Sequence, residues 1–164
     1  MDGKKISDSC VTLSHMMGPQ DANGLGNVHG GIIMKLADEA GGLAAIRHAQ
    51  APAVTIAVDS MTFMHPIHIG NFVEFKAELT YVGRTSMEVR VEVIRENPLT
   101  GERIISNTAY YVYVALDNTG RPKPVPPLIY ETDEQKARAE LAKERQAYRK
   151  EQRAKEEELQ NGRK

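Results

Sequence analysis

A chain of 164 residues, 41% of them hydrophobic, is long enough for one domain with a real core and too short for two ordinary ones. Its formal net charge of -1 at pH 7 excludes the global basic field that attracts nucleic acid or anionic lipid, so an anionic ligand has to be held by a local cluster of arginines. The one cysteine, Cys10, excludes an intrachain disulfide. No run approaches the roughly 18 consecutive apolar residues of a membrane span, and the first residues, Met1 to Asp8, have lysines but no apolar run behind them; a cytoplasmic protein is expected.

Residues 10–17 (CVTLSHMM) read as a short, part-apolar strand in which Cys10 is expected to be buried. They feed the turn-rich run from Gly18 to Asn27, a long loop and so a candidate for function. From Gly30 to about His48, Ile33, Leu36, Ala37, Ala40, Leu43 and Ala44 recur at helical spacing, and Pro52 stops the pattern. This is expected to be the only long helix of the core.

Beyond Pro52 the period changes to two. Val73, Phe75, Ala77, Leu79 and Tyr81 alternate with Glu74, Lys76, Glu78 and Thr80; Val89, Val91 and Val93 alternate with Glu88, Arg90 and Glu92. Residues 53–63 and 103–116 supply two more strands, with hairpin signals at Gly83 to Ser86 and at Asn97 to Gly101. The implied fold is α+β, an antiparallel sheet with one helix. The prolines between Gly120 and Pro127 lack ladder donors and close the core, giving an expected domain over 1–127 and a charged helical tail over 128–164. Thr132 and Gln135 form a capping box for that helix, and Glu134/Arg138 and Glu151/Lys155 stand in the favourable i,i+4 order. Sparse apolar residues (Leu141, Tyr148, Leu159) make it a solvated or partner-packed helix.

Two features of the core helix run against local preference. Gly41 and Gly42 cost roughly 1 kcal/mol each relative to alanine, which points to a sheet, a second helix or a ligand close to the backbone. Asp38 lies on the side of Gly31, Gly41, Gly42 and Ala45, away from the bulky stripe. A solvent-exposed aspartate is the ordinary reading; a carboxylate covered by another element is a candidate base. The helix opens with Gly30-Gly31, whose N-H groups at the positive end of the dipole can hold a developing oxyanion. His29 is either a capping residue or a general base. There is no nucleophile elbow and no phosphate-binding loop, and His65 and His68 around Pro66 lack the further ligands of a metal site. No metal and no cofactor are expected.

Four strings in order place the chain more closely: Asp21-Ala22-Asn23-x-x-Gly26-Asn27-x-His29-Gly30-Gly31, then Met34-Lys35-Leu36-x-Asp38-Glu39-x-x-Gly42, then Val58-Asp59-Ser60-Met61-x-Phe63, then Val82-Gly83-Arg84-Thr85-Ser86. Over residues 10–130 the chain resembles the hotdog-fold acyl-CoA thioesterases, which include the bacterial YciA type and the brain acyl-CoA hydrolase of vertebrates. The resemblance implies an antiparallel sheet wrapped around one long central helix, and hydrolysis of an acyl-CoA substrate to a carboxylic acid and coenzyme A. It implies Asp38 as base or nucleophile, with Asn23 from the neighbouring protomer assisting. One hotdog unit, where the vertebrate relatives carry two, implies at least a homodimer, and the family commonly forms hexamers as trimers of dimers. No nucleic-acid or membrane partner is expected.

The residues agree with that chemistry: Gly31 N-H can polarise the thioester carbonyl while Asp38 activates water and Asn23 orients it. The hairpin Gly83, Arg84, Thr85, Ser86 offers charge-assisted hydrogen bonds to the phosphates of the coenzyme A moiety, against the alternative of an ordinary polar turn. Two rival functions remain. One is a hotdog dehydratase or hydratase with His29 as base and Asp38 or Glu39 as acid. The other is a non-catalytic acyl-CoA-binding sensor.

Overall fold

The computed structural model describes residues 1–162. In chain order the elements are β1 (Lys4–Lys5), a 3-10 turn (Ile6–Ser9), β2 (Val11–Met16), a second 3-10 turn (Pro19–Asp21), α1 (Gly30–Ala49), β3 (Ala53–Phe63), β4 (Phe72–Val82), β5 (Ser86–Glu96), β6 (Arg103–Ala115), β7 (Leu128–Ile129) and α2 (Asp133–Asn161). Strands β2 to β6 make one antiparallel sheet in the order β2-β4-β5-β6-β3, so β3 is an edge although it comes directly after α1. The sheet wraps α1. This is the hotdog arrangement.

Period-two alternation decides which face α1 meets. Val73, Phe75, Ala77 and Leu79 of β4, Met87, Val89, Val91 and Val93 of β5, and Ala109, Tyr111, Tyr113 and Ala115 of β6 are all at most 2% exposed and turn toward the helix. Each of the larger ones stabilises the fold by about 1.5–3 kcal/mol through burial. Because that inner face is bulky, α1 meets it with small residues. Ala37, Ala40, Gly41, Ala44 and Ala45 are buried, whereas Leu43 is 46% exposed. The expectation that Leu43 belongs to the buried stripe is corrected: volume matching against Tyr111 and Tyr113, not hydrophobicity, sets the rotation of the helix. Cys10 also departs from expectation. It precedes β2 as an exposed residue, its thiol donating to the Ile6 carbonyl at 3.4 Å.

The proline-rich segment is tied to the core. Lys123 N-H donates to Ala115 O at 2.8 Å, Val125 N-H to Arg84 O at 3.0 Å, and buried His48 meets the Pro126 carbonyl through Nε2 at 2.8 Å. It then leads into β7, which pairs in parallel with β1, a two-residue contact with no signal in the period.

The capping box forms as expected, with Gln135 N-H donating to Thr132 Oγ1 at 3.2 Å and the Gln135 side chain accepting from Thr132 N-H at 3.3 Å. The helix that it starts is not a free solvated rod. The first half of α2 lies on the outer face of the sheet and buries Ala139 and Ala142. Arg138 bonds Glu78 of β4, Arg145 bonds Glu88 of β5 at 2.7 Å, and Arg149 bonds Asp59 of β3. Arg145 also covers the Tyr110 ring, 3.9 Å from its centroid.

Candidate active site

The loop from Gly18 to Asn27 is organised around Asp21. Its Oδ2 accepts from Gly18 N-H at 2.9 Å and meets His15 Nε2 at 3.1 Å, while its carbonyl receives His29 N-H at 2.7 Å. The Gly18 N-H, followed by His15, holds this carboxyl below the usual range. Within that frame Asn23 closes a turn: its Oδ1 accepts from Leu25 N-H at 2.8 Å and Asn27 N-H at 3.2 Å. The acceptor end of the amide is thus engaged locally, which fixes Asn23 and leaves its NH2 as the group to offer.

At the helix start His29 is the N-cap. Its Nδ1 accepts from Gly31 N-H at 2.8 Å. The N-H expected to hold an oxyanion is therefore occupied by the histidine ring, and using it for substrate requires that ring to swing aside. The N-cap role of His29 accounts for its place in the sequence.

Asp38 sits two turns further along α1, half-buried. Its Oδ1 accepts from Thr55 Oγ1 at 2.8 Å and from the Tyr113 hydroxyl at 3.0 Å; that hydroxyl also lies 2.9 Å from the Asp38 carbonyl oxygen. Neither Thr55 nor Tyr113 is among the residues singled out from the sequence. One signal for Tyr113 existed. A Cβ at Gly41 would fall 2.5 Å from the Tyr113 oxygen, so this glycine is the imprint of the tyrosine on the helix. Burial first, then the Asp38 charge, pushes Tyr113 well above its usual range and Tyr111 up to about 12. Both phenols therefore stay donors at any working pH.

Oδ2 of Asp38 receives no hydrogen bond from the described residues. Asp38 lines an open groove of about 540 Å³ with Leu13, Glu39, Gly42, Ile46, Thr55 and Tyr113 among its walls. Asn23 is not in that lining. One chain thus brings together Asp38, Thr55 and Tyr113 in the middle of α1, with Gly31 at the start of that helix and Asn23 in the loop before it. The hairpin Gly83, Arg84, Thr85, Ser86 lies elsewhere again, closed by Gly83 N-H donating to Ser86 O at 2.8 Å, with Arg84 exposed at its tip. His68 is spent on Asn27, 3.0 Å from Nδ1 to Oδ1, and no group of three metal-ligating side chains occurs among the described residues. No described helix is long and apolar enough to cross a membrane.

The edge strand β3 exposes Val54, Ile56, Val58 and Phe63, and α1 beside it exposes Met34, Leu43 and Ile46. A long edge of unpaired backbone flanked by apolar side chains is a template for pairing with another chain.

The Thioesterase superfamily model matches residues 25–102. The cytosolic acyl coenzyme A thioester hydrolase of Mus musculus is 40% identical over 134 residues, 77% of this chain and 35% of its own; the chain thus spans about a third of that relative's length. A hexameric acyl-CoA thioesterase solved without ligand is 36% identical, with a TM-score of 0.90 over 94% of this chain and 99% of that one. The acyl-CoA hydrolase of Staphylococcus aureus, solved with butyryl coenzyme A, coenzyme A and coenzyme A disulfide, is 32% identical, with a TM-score of 0.88 over 95% of each chain. It has also been solved with alanine in place of an aspartate, an asparagine and a threonine. The helix-wrapping antiparallel sheet, the superfamily match and these structural neighbours define a hotdog-fold thioesterase. Within that superfamily the chain belongs to the acyl-CoA thioester hydrolases.

Proposed function

We propose that this protein hydrolyses acyl-CoA thioesters to a carboxylic acid and free coenzyme A, with no cofactor. The observation that carries the reading is the state of Asp38: one carboxylate oxygen is pinned by Thr55 and Tyr113, and the other is left free toward an open groove. Such an oxygen can take a proton from water as that water attacks the thioester carbon, or attack the carbon itself. On the first route water's oxygen forms the new C-O bond, the C-S bond breaks, and the proton taken up by Asp38 passes to the sulfur, which leaves as the thiol of coenzyme A. On the second, the carboxylate oxygen forms the bond as the thiolate leaves, water then opens the resulting anhydride, and the proton that water gives up goes to the thiolate. Gly31 lies about 10 Å along α1 from Asp38 of its own chain, so its N-H, released from His29, would hold the developing oxyanion of the thioester bound at a neighbouring protomer's Asp38.

Asn23 of a neighbouring protomer completes the site in this reading. Antiparallel pairing of two β3 edges would turn α1 of one copy against α1 of the other and bring the Asn23 end of one helix toward the middle of its partner. Exposed Val54, Val58 and Phe63 of β3 and Met34, Leu43 and Ile46 of α1 support that interface, and the hexameric relative supports a trimer of such dimers. The S. aureus substitutions add a second support. Asparagine, aspartate and threonine stand fifteen and seventeen residues apart in that protein, the intervals that separate Asn23, Asp38 and Thr55 here.

In this reading the thioesterase domain spans 1–127, with 128–164 as a tail of which the described residues, to 162, dock on it, and Gly83, Arg84, Thr85 and Ser86 form the phosphate-binding hairpin. The cytosolic relative favours a cytoplasmic setting. Thiol release from a panel of acyl-CoA esters of increasing chain length tests the reaction. A dehydratase would leave the thioester intact and release no thiol, and a sensor would bind without turnover; either outcome overturns the proposal.

A further inference from the structure

We propose that α2 is part of the substrate site: Lys150 and Arg153 face Ser86 across a cleft and hold the phosphates of the coenzyme A nucleotide. The inference rests on the acyl-CoA reading and adds to it a wall that the hotdog domain alone does not provide.

The cleft, about 290 Å³, is lined by Ile56 and Ala57 of β3, Ser86 of β5, Val112 of β6, and Gln146, Arg149, Lys150 and Arg153 of α2. Its chemistry is divided. Ile56, Ala57 and Val112 form an apolar floor on which a planar base can lie. Ser86 and Gln146 are neutral donors, and three cations border it with no carboxylate in the lining. The grooves at Asp38, at Asp59, at Asp117 and at Glu78 each contain an acid; this one does not. An apolar floor with a cationic rim is the complement of a nucleotide carrying phosphates.

The helix is held in place to serve this cleft. Arg149 is bonded to Asp59 and Arg145 to Glu88, which fixes the turn of α2 that carries Lys150 and Arg153. Helix and hairpin also interlock: a Cβ on Gly83 would lie 2.9 Å from Ser86 Oγ and 3.7 Å from Gln146 Nε2, so the glycine lets Ser86 and the helix close together. Arg149 is committed to the sheet. Lys150 makes no ion pair with a described residue, and Arg153 pairs only with Glu157 on the exposed side of the helix at 2.8 Å, a contact that a phosphate displaces at little cost.

The test is calorimetric titration of coenzyme A and of pantetheine, which lacks the nucleotide, into wild-type protein and the Lys150→Gln/Arg153→Gln variant. Both residues are exposed, so folding should be unchanged, and matching melting curves check this. Loss of two charge-assisted bonds should weaken coenzyme A by at least about tenfold and leave pantetheine unaffected. In turnover, KM for acyl-CoA should rise by a similar factor with kcat unchanged, and KM for acyl-pantetheine should not move. Wild-type affinity for coenzyme A in the variant overturns the subsite, as does an equal loss for pantetheine. Protein that binds coenzyme A through Lys150 and Arg153 but releases no thiol would keep the subsite and overturn the hydrolase reading instead.

Discussion

The Tyr113 hydroxyl bridges Asp38 twice, lying 3.0 Å from Oδ1 and 2.9 Å from the carbonyl oxygen of the same residue. A single β6 side chain thereby fixes both the carboxylate and the helix turn that carries it. With Thr55 Oγ1 at 2.8 Å on the same oxygen, Oδ1 is a fixed acceptor, which leaves Oδ2 as the reactive oxygen of the proposed hydrolysis. Asp38→Asn keeps the size and the acceptor that Thr55 and Tyr113 use while removing the charge and basicity. Assembly and melting should stay as in the wild type, and hydrolysis should fall by about 10²- to 10⁴-fold. Steady-state thiol release from the purified variant checks this; more than about a tenth of the wild-type rate would move the base elsewhere, to His29 first.

Gly41 should be intolerant of a methyl group for one reason, the Tyr113 oxygen 2.5 Å from where it would sit. Gly41→Ala should cost about 1–3 kcal/mol, by the usual measure of overpacking, and disturb the Asp38 bridge. Adding Tyr113→Phe removes the clashing atom, so the double variant should be more stable than the two single losses summed, although it lacks the bridge. Chemical denaturation of the four proteins closes the cycle, and strict additivity would show that the glycine serves another purpose.

Much of this arrangement is legible in the chain because it is periodic. Helix α1 and strands β4 and β5 come from spacings of 3.6 and 2, both hairpins from their turn residues, and Asp38 and Asn23 stand in strings that resemble a known family. The missing parts depend on long-range pairing. Thr55 and Tyr113 reach Asp38 only through the register of β3 on β6, in which Thr55 sits opposite Tyr113. Leu43 is misplaced by a reading of hydrophobicity, which ranks it above alanine, whereas a face opposite two tyrosines admits only small residues. The docking of α2 is hidden by its charge. Arg138, Arg145 and Arg149 are spaced by seven and four residues on one helix face, and their partners Glu78 and Glu88 occupy strand positions that read as solvent-facing.

Glu88 makes the cost of undocking α2 measurable. It is 3% exposed, accepts from Thr80 Oγ1 at 2.6 Å and pairs with Arg145 at 2.7 Å. Arg145→Ala leaves that buried carboxylate without its cation, and the loss should be about 3 kcal/mol or more. Arg145→Ala combined with Glu88→Gln should recover part of it. Thermal melts of the single and double variants check this, and an unshifted Arg145→Ala protein would show that the pair contributes nothing.

His48 should give the fold an acid-side weakness. It is fully buried at the end of α1, its Nε2 meets the Pro126 carbonyl, and Lys4 Nζ donates to its own carbonyl at 2.8 Å. Burial, opposed in part by the Pro126 bond and reinforced by the Lys4 charge, lowers its pKa from the ordinary value of 6.5. A histidine with a lowered folded-state pKa contributes stability that is present above the unfolded value and lost as pH falls through the folded one. The melting temperature should therefore decline below about pH 6.5. His48→Gln retains a donor for Pro126 and removes the proton uptake, so it should flatten that decline. An identical slope in the variant would assign the acid sensitivity to other groups.

The proposed sharing of the site between protomers makes the sharpest demand on assembly. Asn23 is fixed by its own turn and absent from the groove of Asp38, so a single chain holds the two halves apart. If Asn23 acts on the partner's bound thioester, then Asn23→Ala and Asp38→Ala should each be inactive as homodimers. A mixed dimer would contain one site with both substitutions and one with neither. After denaturation and joint refolding at equal concentrations, half of the dimers should be mixed, each with one intact site of two. About a quarter of the wild-type activity should return, provided the sites act independently. Subunit exchange is verified by differently tagged chains recovered together, and thiol release is measured on the unfractionated mixture. Mixed dimers that form and remain inactive would mean that Asn23 and Asp38 must act within one chain, or that both sites of a dimer work only together.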